Sequence, residues 1–304
     1  MSSESTASSS SVAAKIALGT VQFGLNYGVA NTAGQVNAAE ASAILDVARA
    51  AGVDTLDTAI AYGDSEEALG AQGVSKWNVV TKLPEMPSDI QTSGQVRDWV
   101  QGQVCASLAR LRLTRVHAVL LHRPDQILGS QGGALLDALW ELKLQGLTAK
   151  VGVSIYRPQE LEAITQVFQP DLVQAPLNIL DTGFVTSGWA ARLKSARAEI
   201  HLRSVFLQGL LLMPEEARPV KFARWNPLWR QWHGWLQEHQ LTPLQACLRY
   251  SLSVKEADQV IVGVDTASQF KQIFEAAHGP LPAKPIWDTP IDADLVNPAN
   301  WNQL

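Results

Sequence analysis

The chain has 304 residues, 46% hydrophobic and 17% charged, with a formal net charge of −5. That balance fits a globular protein and excludes a disordered one. It contains no run of Lys or Arg that would make nucleic acid a main partner, and no apolar stretch long enough to span a bilayer.

Residues 1–14 are Ser-rich and lack an apolar centre, so a disordered tail is expected rather than a secretory signal. From Lys15 onward strand-like and helix-like segments alternate. Lys15–Thr20 reads as a first strand, and Ala38–Ala51, with apolar residues at helical spacing, as the helix after it. Val53–Ala59 is strand two and Ser65–Gln72 a short helix. Asn78–Lys82 is strand three, followed by a long helix over Gln95–Arg112. Val116–His122 is strand four and Ala134–Gln145 the next helix. Ala149–Ser154 is strand five, followed by a helix over Pro158–Phe168 with Pro at or near its first position. Leu172–Ala175, Glu199–Phe206 and Gln259–Val264 complete the strands. The remaining helices are expected at Gly188–Arg197, at Pro227–Ser253 with a break near Pro243, and at Ser268–His278. Eight such units favour a single-domain α/β fold, a (β/α)8 TIM barrel over residues 15–304. The rival, a doubly wound open sheet, needs a glycine fingerprint after its first strand, and Gly19, Gly24 and Gly28 have the wrong spacing.

Four polar residues, Asp57, Tyr62, Lys82 and His122, lie at or just after the ends of strands two, three and four. In a barrel, groups at the C-terminal strand ends share one rim. A phenol, an ammonium, a carboxylate and an imidazole around one point suit proton transfer to or from a carbonyl or alcohol oxygen. A free tyrosine has a pKa of about 10, and a neighbouring ammonium is expected to lower it. Lys82 is therefore read as acting on Tyr62, Asp57 as holding Lys82, and His122 as orienting the substrate oxygen. Taken singly, Asp57 fits a cap, Tyr62 a loop plug, Lys82 a solvated rim residue and His122 a turn. Cys105 and Cys247 are expected to be buried reduced thiols, which suits the cytoplasm, and no metal site is expected.

The segments Asp57-Thr58-Ala59-Ile60-Ala61-Tyr62-Gly63, Thr81-Lys82 and Leu120-Leu121-His122-Arg123-Pro124-Asp125 resemble the tetrad motifs of the aldo-keto reductases, in bacterial-type members above all. The resemblance runs from Leu18-Gly19-Thr20 to the last helix. It implies reduction of a small carbonyl compound by a nicotinamide cofactor, with Tyr62 as acid and a sugar among the possible substrates.

It also implies cofactor contacts. Ser154 resembles the strand-five Ser that bonds the nicotinamide carboxamide, with Ile155 where an Asn usually follows, and Gln174 matches its partner. Arg203 falls where an aromatic ring usually stacks, ahead of Ser204, Phe206 and Gln208. Gly19 and Thr20 belong to the same implied set. Gly263, Val264 and Thr266 are implied as phosphate contacts, with Gln269 at a usually basic position and Gln272 at a usual Glu. NADP(H) is favoured by the resemblance, and the missing cations leave NAD(H) open.

Trp225, Trp229, Trp232 and Trp235 share one helix face, read as core packing with a substrate wall as the alternative. The segment after the last helix is implied to cover the barrel mouth. Competing readings are a Schiff-base aldolase built on Lys82, a cofactor-recycling epimerase or lyase, and a weakly catalytic sensor or scaffold. Oligomeric state has no legible signature.

Overall fold

A computed structural model describes residue 12 and residues 14–288 and 290–304. The expected tail, residues 1–14, lies outside the described residues apart from Val12 and Ala14.

Eight parallel strands close into one barrel in chain order, β1 to β8. They are β1 Ile16–Gly19, β2 Thr55–Asp57, β3 Asn78–Leu83, β4 Val116–Leu121, β5 Thr148–Ser154, β6 Leu172–Pro176, β7 Glu199–Arg203 and β8 Gln259–Gly263. The helices are α1 Ala38–Ala50, α2 Ser65–Gln72, α3 Ser93–Leu111, α4 Gly132–Leu144, α5 Glu160–Val167, α6 Gly183–Thr186, α7 Trp189–Ser195, α8 Asn226–Glu238, α9 Pro243–Leu252, α10 Ala267–Ala276 and α11 Ala293–Val296. Register brings Gly19 beside Asp57, Asp57 beside Val80, and Lys82 beside Leu120. The strands run outward to one shared rim.

Most of the core lies between the strands and the helices, and a small apolar set, Val80, Ala118, Leu120 and Leu172, fills the barrel lumen. Below it, Glu199 meets His117, Lys150 and His201. Burial alone would raise the Glu199 carboxyl, but hydrogen bonds from His117 and His201 outweigh it and hold it below the usual range. Above the apolar layer lies the polar set around Asp57. Burial of β-branched and Leu side chains on both faces explains why the strands read as near-continuous apolar runs.

Several local expectations change. Strand seven ends at Arg203, not Phe206, because Ser204 turns left-handed (φ 63°), as do Leu207 and Gln208. The helix expected from Pro158 begins at Glu160, whose carboxylate accepts from the Tyr156 and Arg157 N–H groups. The break expected near Pro243 is present, dividing that stretch into α8 and α9, and Thr242 caps α9 with a reciprocal bond to Gln245. Cys247 is buried, but Cys105 is exposed. It sits one residue past buried Val104 on α3, a step of about 100° around the helix.

Trp225, Trp229, Trp232 and Trp235 are all buried. The Trp229 indole donates to Phe222 O and that of Trp232 to Leu211 O. Trp232 stacks on Trp235 with centroids 5.7 Å apart. This face docks α8 on the segment after β7, as the core-packing reading expects. Among the described residues, no helix is long and apolar enough to cross a membrane.

Candidate active site

The rim polar set is organised around Asp57, the last residue of β2. Lys82 reaches it from β3, with Nζ 2.7 Å from Oδ1 and 2.8 Å from Oδ2. The same Nζ lies 2.8 Å from the Thr58 carbonyl. Three acceptors require three N–H donors, which only a charged ammonium carries. Burial lowers the Lys82 pKa, and the Asp57 carboxylate is the main opposing effect. Gln174 Nε2 donates to Asp57 Oδ1 at 2.7 Å, and Ser154 Oγ donates to Gln174 Oε1 at 3.0 Å. The β5–β6 register pairs Ser154 with Gln174, which makes that bond local.

Tyr62 stands on the turn after β2. Two glycines fix that turn by letting backbones touch. A Cβ on Gly24 would lie 1.8 Å from Tyr62 O, and a Cβ on Gly63 would lie 2.4 Å from Gly24 O. Gly63 also has φ +53°, a conformation that suits glycine. The Tyr62 and His122 rings meet edge-on, with centroids 6.0 Å apart. Lys82 Nζ sits 5.1 Å from the Tyr62 ring centroid.

The electrostatics differ from expectation in one respect. Lys82 was expected to lower the Tyr62 pKa, yet that pKa is raised, by burial first and by the Asp57 charge second, with Arg203 opposing. The physical reason is burial of the phenol, together with the Asp57 carboxylate, which offsets the Lys82 charge it is paired with. His122 is pushed down to about 4 by burial, then by Lys82 and Arg203. It is a neutral imidazole near pH 7, with one N–H to donate.

A cavity of about 640 Å³ opens on this rim, within the usual range for small-molecule sites. Asp57, Tyr62 and His122 line it, while Lys82 is fully buried behind them. Gly19, Thr20, Arg203, Ser204, Phe206 and Gln208 also line it, as do Gly263, Val264, Gln269 and Gln272. Three expected cofactor residues are placed elsewhere. Ser154 and Gln174 are buried beneath Asp57, with their polar groups turned to one another and to that carboxylate. Thr266 caps α10 by accepting from Gln269 N.

The Arg203 guanidinium reaches across the rim to donate to Ile155 O at 2.8 Å and to Ser204 Oγ at 3.0 Å, over the Tyr156 ring. Sequence reasoning missed Gln22, Tyr27, Asn31, Tyr156 and Asp265, all on the cavity wall. Tyr27 and Asp265 sit inside segments that carry other signals, and that adjacency was the one clue to them. Asn297, Pro298 and Ala299 line the cavity from the chain's last segment.

Two observations test whether a dinucleotide fits. Gln22 Oε1 is buried on the wall with no partner, an acceptor ready for a ligand N–H or O–H. A Cβ at Gly263 would crowd the Gln22 amide, to 2.6 Å from Nε2, so the glycine is what lets that amide lie against the end of β8 on the cavity wall. With the cavity's extent from His122 to Gln272, these features fit an elongated polar ligand. Among the described residues, no group of three or more His, Cys, Asp or Glu is placed to hold a metal ion.

Comparison with known proteins agrees with the fold and the motifs. An aldo-keto reductase of Mycolicibacterium vanbaalenii is 35% identical over 157 residues, 48% of this chain and 52% of that protein. That alignment spans about half the relative's length. D-threo-aldose 1-dehydrogenase of a Pseudomonas species is 26% identical over an alignment of 328 positions, covering 95% of this chain and 99% of that one. The holo form of an aldo-keto reductase from Bacillus halodurans superposes with a TM-score of 0.66 at 18% identity, over 95% of this chain and 91% of that one. That last likeness is one of fold. The model of the Aldo/keto reductase family matches residues 15–288, and the chain belongs to that family.

Proposed function

We propose that this chain reduces an aldehyde or ketone to an alcohol, with Tyr62 as general acid. The observation that carries the reading is one cavity lined together by a protonated phenol and a neutral imidazole, with an ammonium–carboxylate pair behind them. A nicotinamide dinucleotide, NADP(H) or NAD(H), supplies the hydride when bound.

The substrate oxygen accepts a hydrogen bond from the His122 N–H, which orients it and polarises the carbonyl. As hydride adds to the carbon, the C=O π bond breaks and its electrons move to oxygen. The Tyr62 O–H bond breaks in turn, and its proton closes the alcohol. Burial keeps that phenol protonated, so the acid form is the resting form. Lys82 and Asp57 act as a paired unit behind the ring, with Gln174 and Ser154 fixing the carboxylate. Lys82 is a positioning residue in this account. Its three committed donors and its ion pair argue against a Schiff-base aldolase, which needs a free amine.

The substrate is a small carbonyl compound. The relative named for an aldose supports a sugar. A cytoplasmic location belongs to the same proposal, supported by two free cysteines.

The test is Tyr62→Phe, followed by absorbance of the reduced dinucleotide with an aldehyde panel that includes sugar aldehydes. A positioned acid contributes roughly 10²–10⁴-fold. Turnover should fall by that order while dinucleotide affinity stays within about twofold. Unchanged turnover removes Tyr62 from the role.

A further inference from the structure

We propose that the dinucleotide this site selects is NAD(H), and that Asp265 makes the selection. The proposal rests on the nicotinamide-cofactor reading above and reverses the preference for NADP(H) that the resemblance implies.

The two dinucleotides differ by one group, a phosphate on the 2′ position of the adenosine ribose. A site built for that phosphate offers cations and free N–H donors. A site built for the free hydroxyl offers a carboxylate. The cavity has the catalytic groups at one end and the corner between β8 and α10 at the other. That far wall carries Gly263, Val264, Asp265, Gln269 and Gln272. Asp265 is its one charged side chain. Among the described residues, the one Lys or Arg on the cavity wall is Arg203, which stands with the catalytic groups and donates to Ile155 O and Ser204 Oγ. Lys271 is exposed on α10 and is not part of the wall.

The helix end there is also unavailable to a phosphate. A helix N-terminus ordinarily attracts anions through its free N–H groups. In α10 the Ala267 N–H donates to Glu40 Oε1 at 2.6 Å, so a carboxylate from α1 already holds that position. The Gln269 N–H donates to Thr266 Oγ1, and the Asp265 N–H to Gln269 Oε1. A 2′-phosphate brought to this corner would meet two carboxylates, Glu40 and Asp265, and no cation.

A ribose hydroxyl meets the opposite situation. Asp265 Oδ1 accepts from Asn31 Nδ2 at 3.2 Å, and the Gln269 side chain also bonds this carboxylate. A carboxylate has room for further donors on both oxygens. Asn31 Oδ1 accepts from the Ala33 and Gly34 N–H groups, so the amide that meets the carboxylate is held on its own loop. A ribose 2′-hydroxyl can therefore donate to Asp265 where a phosphate is repelled.

The experiment titrates the purified full chain with NADH and with NADPH, separately, following nicotinamide fluorescence at fixed ionic strength. No turnover is needed. The wild type should bind NADH at least about tenfold more tightly than NADPH, equivalent to about 1.4 kcal/mol. Asp265→Asn should narrow that ratio, chiefly by improving NADPH. Glu40→Gln, which keeps an acceptor for Ala267 N–H, should narrow it further in combination. Equal affinities, or tighter NADPH, overturn the proposal. A clear NADH preference that neither substitution changes overturns the role of Asp265. If neither dinucleotide binds, the reductase reading itself fails and takes this proposal with it. Thermal melts of both variants separate a folding defect from a change in selectivity.

Discussion

Replacing Lys82 by Met removes one charge from a buried pair and leaves the nearly buried Asp57 carboxylate without its cation. Asp57 is 5% exposed and Lys82 not at all. Breaking a buried ion pair from one side typically costs about 3–5 kcal/mol, because the remaining charge loses its partner. Gln174 still donates to Oδ1 in the variant, which places the expectation near the lower end, about 3 kcal/mol. An unfolding entropy of about 2.1 cal/mol/K per residue gives roughly 0.6 kcal/mol/K for a chain this size, so Tm should fall by about 5 °C. The double variant Asp57→Asn, Lys82→Met removes the orphan charge and should recover at least about half of the loss. Thermal unfolding followed by circular dichroism measures all four corners of the cycle. A Lys82→Met protein melting within about 1 °C of wild type would refute the reasoning. So would a double variant whose loss equals the sum of the single losses.

Two further outcomes follow from the rim. The His122 imidazole is held down at about 4 in the folded chain, against an ordinary 6.5. Between those values the unfolded chain binds more protons, so this contribution is present above about 6.5 and lost as pH falls through about 4. His122→Asn should flatten the slope of unfolding free energy with pH across that window, by up to about 1.4 kcal/mol per pH unit. Denaturant unfolding at a series of pH values reads this, and an unchanged slope contradicts it. Gly24→Ala places a methyl group 1.8 Å from Tyr62 O, which must displace the Tyr62 turn. Turnover should fall at least about tenfold while far-ultraviolet dichroism stays native, since a loop rather than a strand moves. Full activity in that variant would show that the turn adjusts without moving the phenol.

Much of this molecule is written in its chain. The apolar runs that end in Asp57, Lys82 and Leu121 are the strands, because a barrel strand buried on both faces leaves no reason for alternation until the rim. The helices close where Gly52, Gly73 and Gly146 follow them. The limits lie where long-range geometry decides. Nothing local to Lys82 says that the Thr58 carbonyl completes a set of three acceptors, and nothing local to Tyr62 says that burial and the Asp57 charge raise its pKa. Ser154 and Gln174 are carboxamide contacts by the resemblance alone, and nothing in their own segments says that their polar groups meet one another and Asp57. Strand seven reads through to Phe206 because Val205 and Phe206 are good strand formers, and the left-handed backbone at Ser204 overrides that preference. Asp265 was legible as a residue of the β8–α10 turn but not as a charge on a cavity wall, since Asn31, 234 positions earlier, is what presents it.

The central claim is that hydride reaches a substrate carbon while Tyr62 supplies the proton. Its most direct measurement uses reduced dinucleotide deuterated at the transferring C4 position, an aldehyde substrate, and proton nuclear magnetic resonance of the alcohol formed. The account predicts one deuterium on the carbinol carbon with wild-type protein, and alcohol formation slowed by roughly 10²–10⁴-fold in Tyr62→Phe. Alcohol without deuterium at that carbon, or equal rates in the two proteins, would contradict it.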